Sequence, residues 1–129
     1  MKSSYKIGMA LVGSFVLGIG AASVLHAQAK PLGYVLVEVD VKDQDGYTKD
    51  FLPKAQANIK EFDGKYVAGG FNKTISFRGA PPPNRVVLLQ FRDMDTLKAF
   101  EDKEGRNVTD VGSKYASFRI IGIEGVEQK

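Results

Sequence analysis

The chain has 129 residues, no cysteine, no tryptophan and one histidine, His26. It also carries no charge from Ile7 to Leu25. Lys2 and Lys6 precede that uncharged stretch, and Ala27-Gln28-Ala29 follows it. A positive start, an apolar middle and a small-x-small ending make a secretory signal peptide. Cleavage after Ala29 is expected to remove residues 1–29, and His26 with them. The chain left, Lys30 to Lys129, has no His, no Cys and no Trp.

Each absence removes a class of chemistry. Serine–histidine and cysteine–histidine nucleophilic catalysis need side chains that the exported chain lacks. A haem needs an axial ligand, and the proximal histidine is missing. A zinc site would have carboxylates alone, which is atypical. No metal site and no cofactor is therefore expected. Without cysteine there is no disulfide scaffold and no residue for a lipoprotein anchor. The leader has no twin-arginine pair, so ordinary secretion is expected. Its apolar run approaches the length of a membrane span, although Gly8, Gly13, Gly18 and Gly20 dilute it. An uncleaved N-terminal anchor is the alternative. Either way the folded part is expected in the periplasm or outside the cell, with no membrane insertion of the mature domain.

The formal charge of +3 includes Lys2 and Lys6. Without these two of the 18 basic residues, 16 face 15 acidic ones. Signs alternate along the chain, and there is no clustered Lys/Arg footprint for nucleic acid. Residues 30–129 have the size of one small domain. So small a domain buries only about 60–70% of its unfolded surface, and pairing with a second copy would add to that.

Gly33 to Val41 alternates strictly, with Val35, Val37, Val39 and Val41 on one face and Tyr34, Leu36, Glu38 and Asp40 on the other. That is a strand. Asp43 and Asp45 are N-cap residues for a helix carrying Tyr47, Phe51, Ala55, Ile59 and Phe62 at spacings of three and four. Pro53 should kink or divide that helix, and Gly64 should end it. Lys65 to Gly70 reads as a second strand with a bulge or bend at Gly69-Gly70, continued by Lys73 to Arg78. Pro81, Pro82 and Pro83 make a loop. Arg85 to Phe91 is apolar on both faces and reads as a buried strand. Asp93 caps a second helix with Met94, Leu97 and Phe100, stopped at Gly105, with Asn107 opening a further short helical piece. Ser117 to Glu124 is the last strand.

The order β-α-β-β-α-β defines the fold class: α+β, ferredoxin-like, an antiparallel sheet with both helices on one face. Leu36, Tyr34 and one side of Arg85–Phe91 leave the other face apolar. A second copy, sheet against sheet, would cover it in a dimeric α+β barrel.

The segments Gly33 to Val41, Tyr47, Lys54-Ala-Gln56, Gly64 to Gly70, Pro82 to Val87, Lys114 to Arg119 and Glu124-Gly-Val126 resemble the family called domain of unknown function 1330. The resemblance covers essentially the whole of residues 30–129. An exported form with a leader ending in Ala-Gln-Ala is also similar to Gram-negative members. It implies a homodimeric α+β barrel and no assigned reaction. The chain departs from the family pattern at Phe77-Arg78-Gly79 and across Phe100 to Arg106.

Two sets of candidate site residues follow. Glu38 and Asp40 share a strand face about 7 Å apart, where paired carboxylates shift each other's proton affinity. With the Tyr47 phenol they are the catalytic candidates. Tyr34, Tyr66, Arg85, Gln90 and Phe100 are the binding candidates, with Arg85 suited to a bidentate grip on an anion. Tyr115 offers a further phenol. Three classes of function are compatible with this set. One is a homodimeric module binding a small apolar or aromatic molecule between the sheets. Another is a cofactor-free enzyme, isomerase-like or monooxygenase-like. An anchored structural protein of the envelope is the third.

Overall fold

The computed structural model describes residues 30–127; the proposed signal peptide lies outside the described residues. Strand β1 (Gly33–Val41) opens the domain. A single helical turn (Gln44–Gly46), a π-helical turn (Tyr47–Phe51) and helix α1 (Leu52–Glu61) follow without a break. Then come β2 (Lys65–Phe71), β3 (Arg85–Phe91), α2 (Met94–Asp110), a 3₁₀ turn (Gly112–Lys114) and β4 (Ala116–Glu124). The sheet order is β2-β3-β1-β4, and every neighbouring pair is antiparallel. This is the expected α+β, ferredoxin-like arrangement. Among the described residues no helix is long and apolar enough to cross a membrane.

Alternation along the strands sorts the side chains. Val35, Val39, Val87, Leu89 and Phe91 face the helices and are buried. Tyr34, Leu36, Glu38, Val86, Leu88, Gln90 and Ile121 face the other way and are half-buried. The core forms two clusters. One joins Val35, Val87, Leu89 and Phe91 to Ile59, Leu97 and Phe100. The other joins Val39, Val41 and Ala116 to Tyr47, Phe51 and Ala55. Val37 packs against both.

The helical segment divides just before Pro53, where the π-helical turn gives way to α1. The Leu52 N–H donates to Tyr47 O, five residues back, and Pro53 follows at the second position of α1. Proline has no N–H to continue that bonding, so the pattern changes there, and Pro53 takes a place in the first turn of α1, where proline is tolerated. The wide turn also buries both Tyr47 and Phe51, which stack on each other at 5.0 Å between centroids.

Three expectations about element limits are corrected. Lys73 to Arg78 is not strand. A strand needs a ladder partner, and the residues that would extend β3 toward it are Pro81, Pro82 and Pro83, which have no N–H. Phe71 pairs with Arg85, and there the ladder ends. The segment becomes an arm with Ile75 77% and Phe77 84% exposed. The second correction is at Gly105, which does not stop α2; the helix continues to Asp110, so Asn107 opens nothing. Third, the register shift in β2 falls between Tyr66 and Ala68, just before the two glycines.

The base of the arm is held by one side chain. Asn84 accepts from Val41 N at 2.9 Å and donates to Val41 O at 2.9 Å. Its own carbonyl accepts from Asn72 N at 2.8 Å. The Asn84 amide therefore supplies the ladder contact that Pro83 cannot make. Asn84→Ala is expected to destabilise the domain by about 1–3 kcal/mol, since it leaves both Val41 backbone groups unpaired. A denaturant midpoint lowered with unchanged slope would report it.

Candidate functional site

A cleft of about 40 Å³ lies on the helix side of the sheet, at the seam between the two core clusters. Val37, Ala55, Ile59, Val87, Leu89 and Phe100 give it apolar walls. Five polar side chains reach it: Tyr47, Tyr66, Arg85, Glu101 and Glu104. A water needs on the order of 10–15 Å³ of such space, so the cleft as it stands has room for only a few heavy atoms. Tyr66 is 46% exposed and stands at the mouth. A larger guest would have to move it.

Each polar group is placed by its element. Arg85 is the first residue of β3 and alternates onto the helix side with Val87 and Leu89. Its guanidinium lies 4.8 Å from the Phe71 ring centroid and 5.8 Å from that of Tyr47. Rings beside a guanidinium stabilise it, and Arg85 also hydrogen-bonds the Tyr47 side chain. Arg85 is the only cation among the described residues lining the cleft. Tyr47 is only 2% exposed. Burial pushes its phenol up to about 12, against the opposing pull of Arg85. It therefore stays protonated at neutral pH and remains a hydrogen-bond donor. Burial also raises Tyr66.

The carboxylates come from α2 and sit one turn apart. Glu104 is 5% exposed. It accepts from Asn58 Nδ2 of α1 at 2.6 Å and from Asn107 Nδ2 at 3.2 and 3.3 Å. Burial raises its proton affinity and the two amides moderate the rise. Glu101 is half-buried, and no hydrogen bond or ion pair holds it among the described residues. Burial, with Glu104 as the second cause, pushes it up to about 7.

The sequence candidates thus divide between two faces. Tyr47, Tyr66, Arg85 and Phe100 meet at the cleft, Phe100 as wall. Glu38, Asp40, Tyr34 and Gln90 stand on the opposite, open face of the sheet. There Glu38 accepts from Arg119 at 2.9 Å, Asp40 pairs with Lys42 at 3.0 Å, and Tyr34 is the cross-strand neighbour of Gln90. Tyr115 donates to Asp50, with both groups exposed. Glu38 and Asp40 are therefore separated from Tyr47 by the sheet itself.

Sequence reasoning missed Glu101, Glu104, Asn58 and Asn107. A signal for Glu104 was present. Leu97, Phe100, Glu104, Val108 and Val111 recur at spacings of three and four, so a carboxylate interrupts an apolar helical stripe. Reading Gly105 as a stop hid the last two members. Among the described residues no three His, Cys, Asp or Glu side chains gather as metal ligands.

Comparison with known proteins agrees with this architecture. The domain of unknown function family DUF1330 matches residues 32–126, and the chain belongs to that family. No curated protein matches it. Among solved structures, a protein of unknown function from Rhodopseudomonas palustris is similar, with a TM-score of 0.57 and 11% identity. The match covers 84% of this chain and 94% of that one. An EthD-like protein from Ralstonia eutropha JMP134 has a TM-score of 0.51 at 15% identity, covering 78% of this chain and 96% of that one. At these identities the likeness concerns the fold.

Proposed function

We propose that the protein is an exported homodimer that binds a small organic molecule in the helix-side cleft. The carrying observation is the convergence of Arg85, two phenols and two carboxylates on one apolar-walled cleft. A mostly apolar concavity with a few converging polar groups is the usual form of a small-molecule site. The guest belongs there rather than between two sheets, because Glu38 and Asp40 on the open face are engaged by Arg119 and Lys42. Arg85 favours an anionic guest, and the walls favour a compact apolar body.

Because the chain has no tryptophan, the emission comes from tyrosine, and Tyr47 and Tyr66 contribute to it beside Tyr34 and Tyr115, which lie outside the cleft. Titration with small carboxylic acids and phenols is expected to change that emission and to raise the unfolding temperature. Arg85→Ala should abolish both responses for the acids. A folded wild-type protein that responds to none of them would reject the reading.

The second copy covers the open face. Leu36, Val86, Leu88 and Ile121 form a half-buried apolar strip there, extended by Ile123 at 43% exposure. Leu36 is the direct neighbour of both Leu88 and Ile121, so the strip runs across three strands. A two-fold pair would present each strip to itself. Light scattering is expected to give a dimer, and Leu88→Glu, which sets like charges against each other at the centre, a monomer. A monomeric wild type at micromolar concentration would count decisively against this. For export, a mature N-terminus at Lys30 in mass spectrometry is the expected result.

A further inference from the structure

We propose that the cleft is a proton-transfer site for small 2-oxo acids, in which Glu101 takes a proton from the carbon beside the carbonyl and Arg85 holds the oxygen that becomes negative. This rests on the cleft being the binding site.

Three features of the geometry support it. The first is the unequal state of the two carboxylates. Glu104 is fixed by Asn58 and Asn107, which occupy its oxygens. Glu101, one turn earlier, lines the same cleft without a partner among the described residues. A carboxylate left unpaired in a largely apolar site is costly to stability. It is also available to meet a proton carried by a guest. The second is the single cation. Arg85 offers a planar fork suited to a carboxylate or an enolate oxygen, and Phe71 and Tyr47 support its face. The third is size. At about 40 Å³ the cleft suits a guest of few heavy atoms, and the shortest 2-oxo acids combine an anion with an acidic C–H.

The step balances without any further reactant. A Glu101 oxygen forms a bond to the α-proton. The C–H electron pair becomes the C=C bond, and the C=O π pair moves onto oxygen, giving an enolate beside Arg85. The Tyr47 O–H, which burial keeps protonated, is placed to donate rather than repel. Returning the proton to carbon restores the ketone; delivering it to oxygen gives the enol.

The charge environment suits such a base. The ionisable groups that line the cleft with Glu101 are Glu104 on its own helix, Tyr47 from the π turn, Tyr66 from β2 and Arg85 from β3, and of these Glu104 is the one that acts on its proton affinity. Burial and Glu104 bring it to about 7. A general base poised near the working pH is the most effective kind.

The test follows the methyl protons of pyruvate and the α-protons of 2-oxobutanoate by NMR in D₂O. Wild-type protein is expected to exchange them at least about 100-fold faster than Glu101→Gln. The rate should rise with pH and level off above about 7. Glu101→Asp, which keeps the carboxylate but withdraws it, should retain an intermediate rate and the same pH inflection. Circular dichroism confirms that each variant is folded. Wild-type exchange no faster than that of Glu101→Gln with both probes overturns the inference. Shifts in the tyrosine ring signals on adding pyruvate separate the causes. Shifts without exchange leave the binding reading standing and remove the base. Neither shifts nor exchange removes both.

Discussion

Glu101→Gln is expected to raise the thermal midpoint at pH 8 by about 5–10 °C and to leave it nearly unchanged below pH 4.5. The sign comes from linkage. In the unfolded chain a glutamate ionises around 4.5, whereas in the folded domain Glu101 holds its proton to about 7. Below the lower value the side chain is neutral in both states and has no effect. As pH rises from 4.5 to 7 the unfolded state ionises and the folded state resists, so stability falls. Above 7 the penalty is complete. A shift of this size corresponds to at most about 3 kcal/mol. The partial opening to solvent reduces that to about 1–2 kcal/mol. For a domain of this size each kcal/mol moves the midpoint by about 4–8 °C. Glutamine keeps the shape and removes the charge, and it also relieves Glu104 of a like-charged neighbour. Differential scanning calorimetry of both proteins from pH 4 to pH 8 checks it. Midpoint differences that do not grow with pH would place Glu101 in solvent.

Gly69→Ala is expected to cost at least about 3 kcal/mol and to abolish soluble expression or lower the denaturant midpoint sharply. Gly69 has φ +98°, and a Cβ there would sit 1.9 Å from Val86 O. Backbone, not a flexible side chain, is in the way. Either β2 leaves β3 or the strand is strained. Small domains have about 5–15 kcal/mol in total, so the loss is a large share. Gly105→Ala should do the opposite. A Cβ at Gly105 meets nothing within 4 Å, and the residue lies inside α2. Alanine there should stabilise the helix by about 0.5–1 kcal/mol. The two substitutions are chemically identical, and backbone conformation sets their signs.

Gly105 also illustrates what was legible in the chain. Strand β1 declares itself by strict alternation, and β3 by an almost continuous apolar run of strand length. The limits of α2 do not. A glycine inside a helix costs only about 1 kcal/mol, and the contacts of Val108 and Val111 with the second core cluster outweigh it. The arm was misread for a related reason. Thr74, Ile75, Ser76 and Phe77 have strand character, but the pairing decision lies with three distant prolines. Arg85, Tyr47 and Tyr66 could be suspected from residue type and position. Glu101 could not, since charged residues in a helix usually face water, and the stripe that marks Glu104 was cut short by reading Gly105 as a stop. Only the packing of α1 against α2 brings Asn58 to Glu104 and turns that face inward.

The sheet order has a consequence for the timing of folding. β1 emerges first, yet its partners are β3 and β4, and β4 ends five residues before the end of the chain. Its register partner at the start, opposite Gly33, is Glu124. No nascent chain can complete the sheet before β4 has been made, and closing such long loops is slow. Under the export proposed above, a chain crossing a membrane unfolded would be served by this delay, since the sheet stays incomplete until β4 is made.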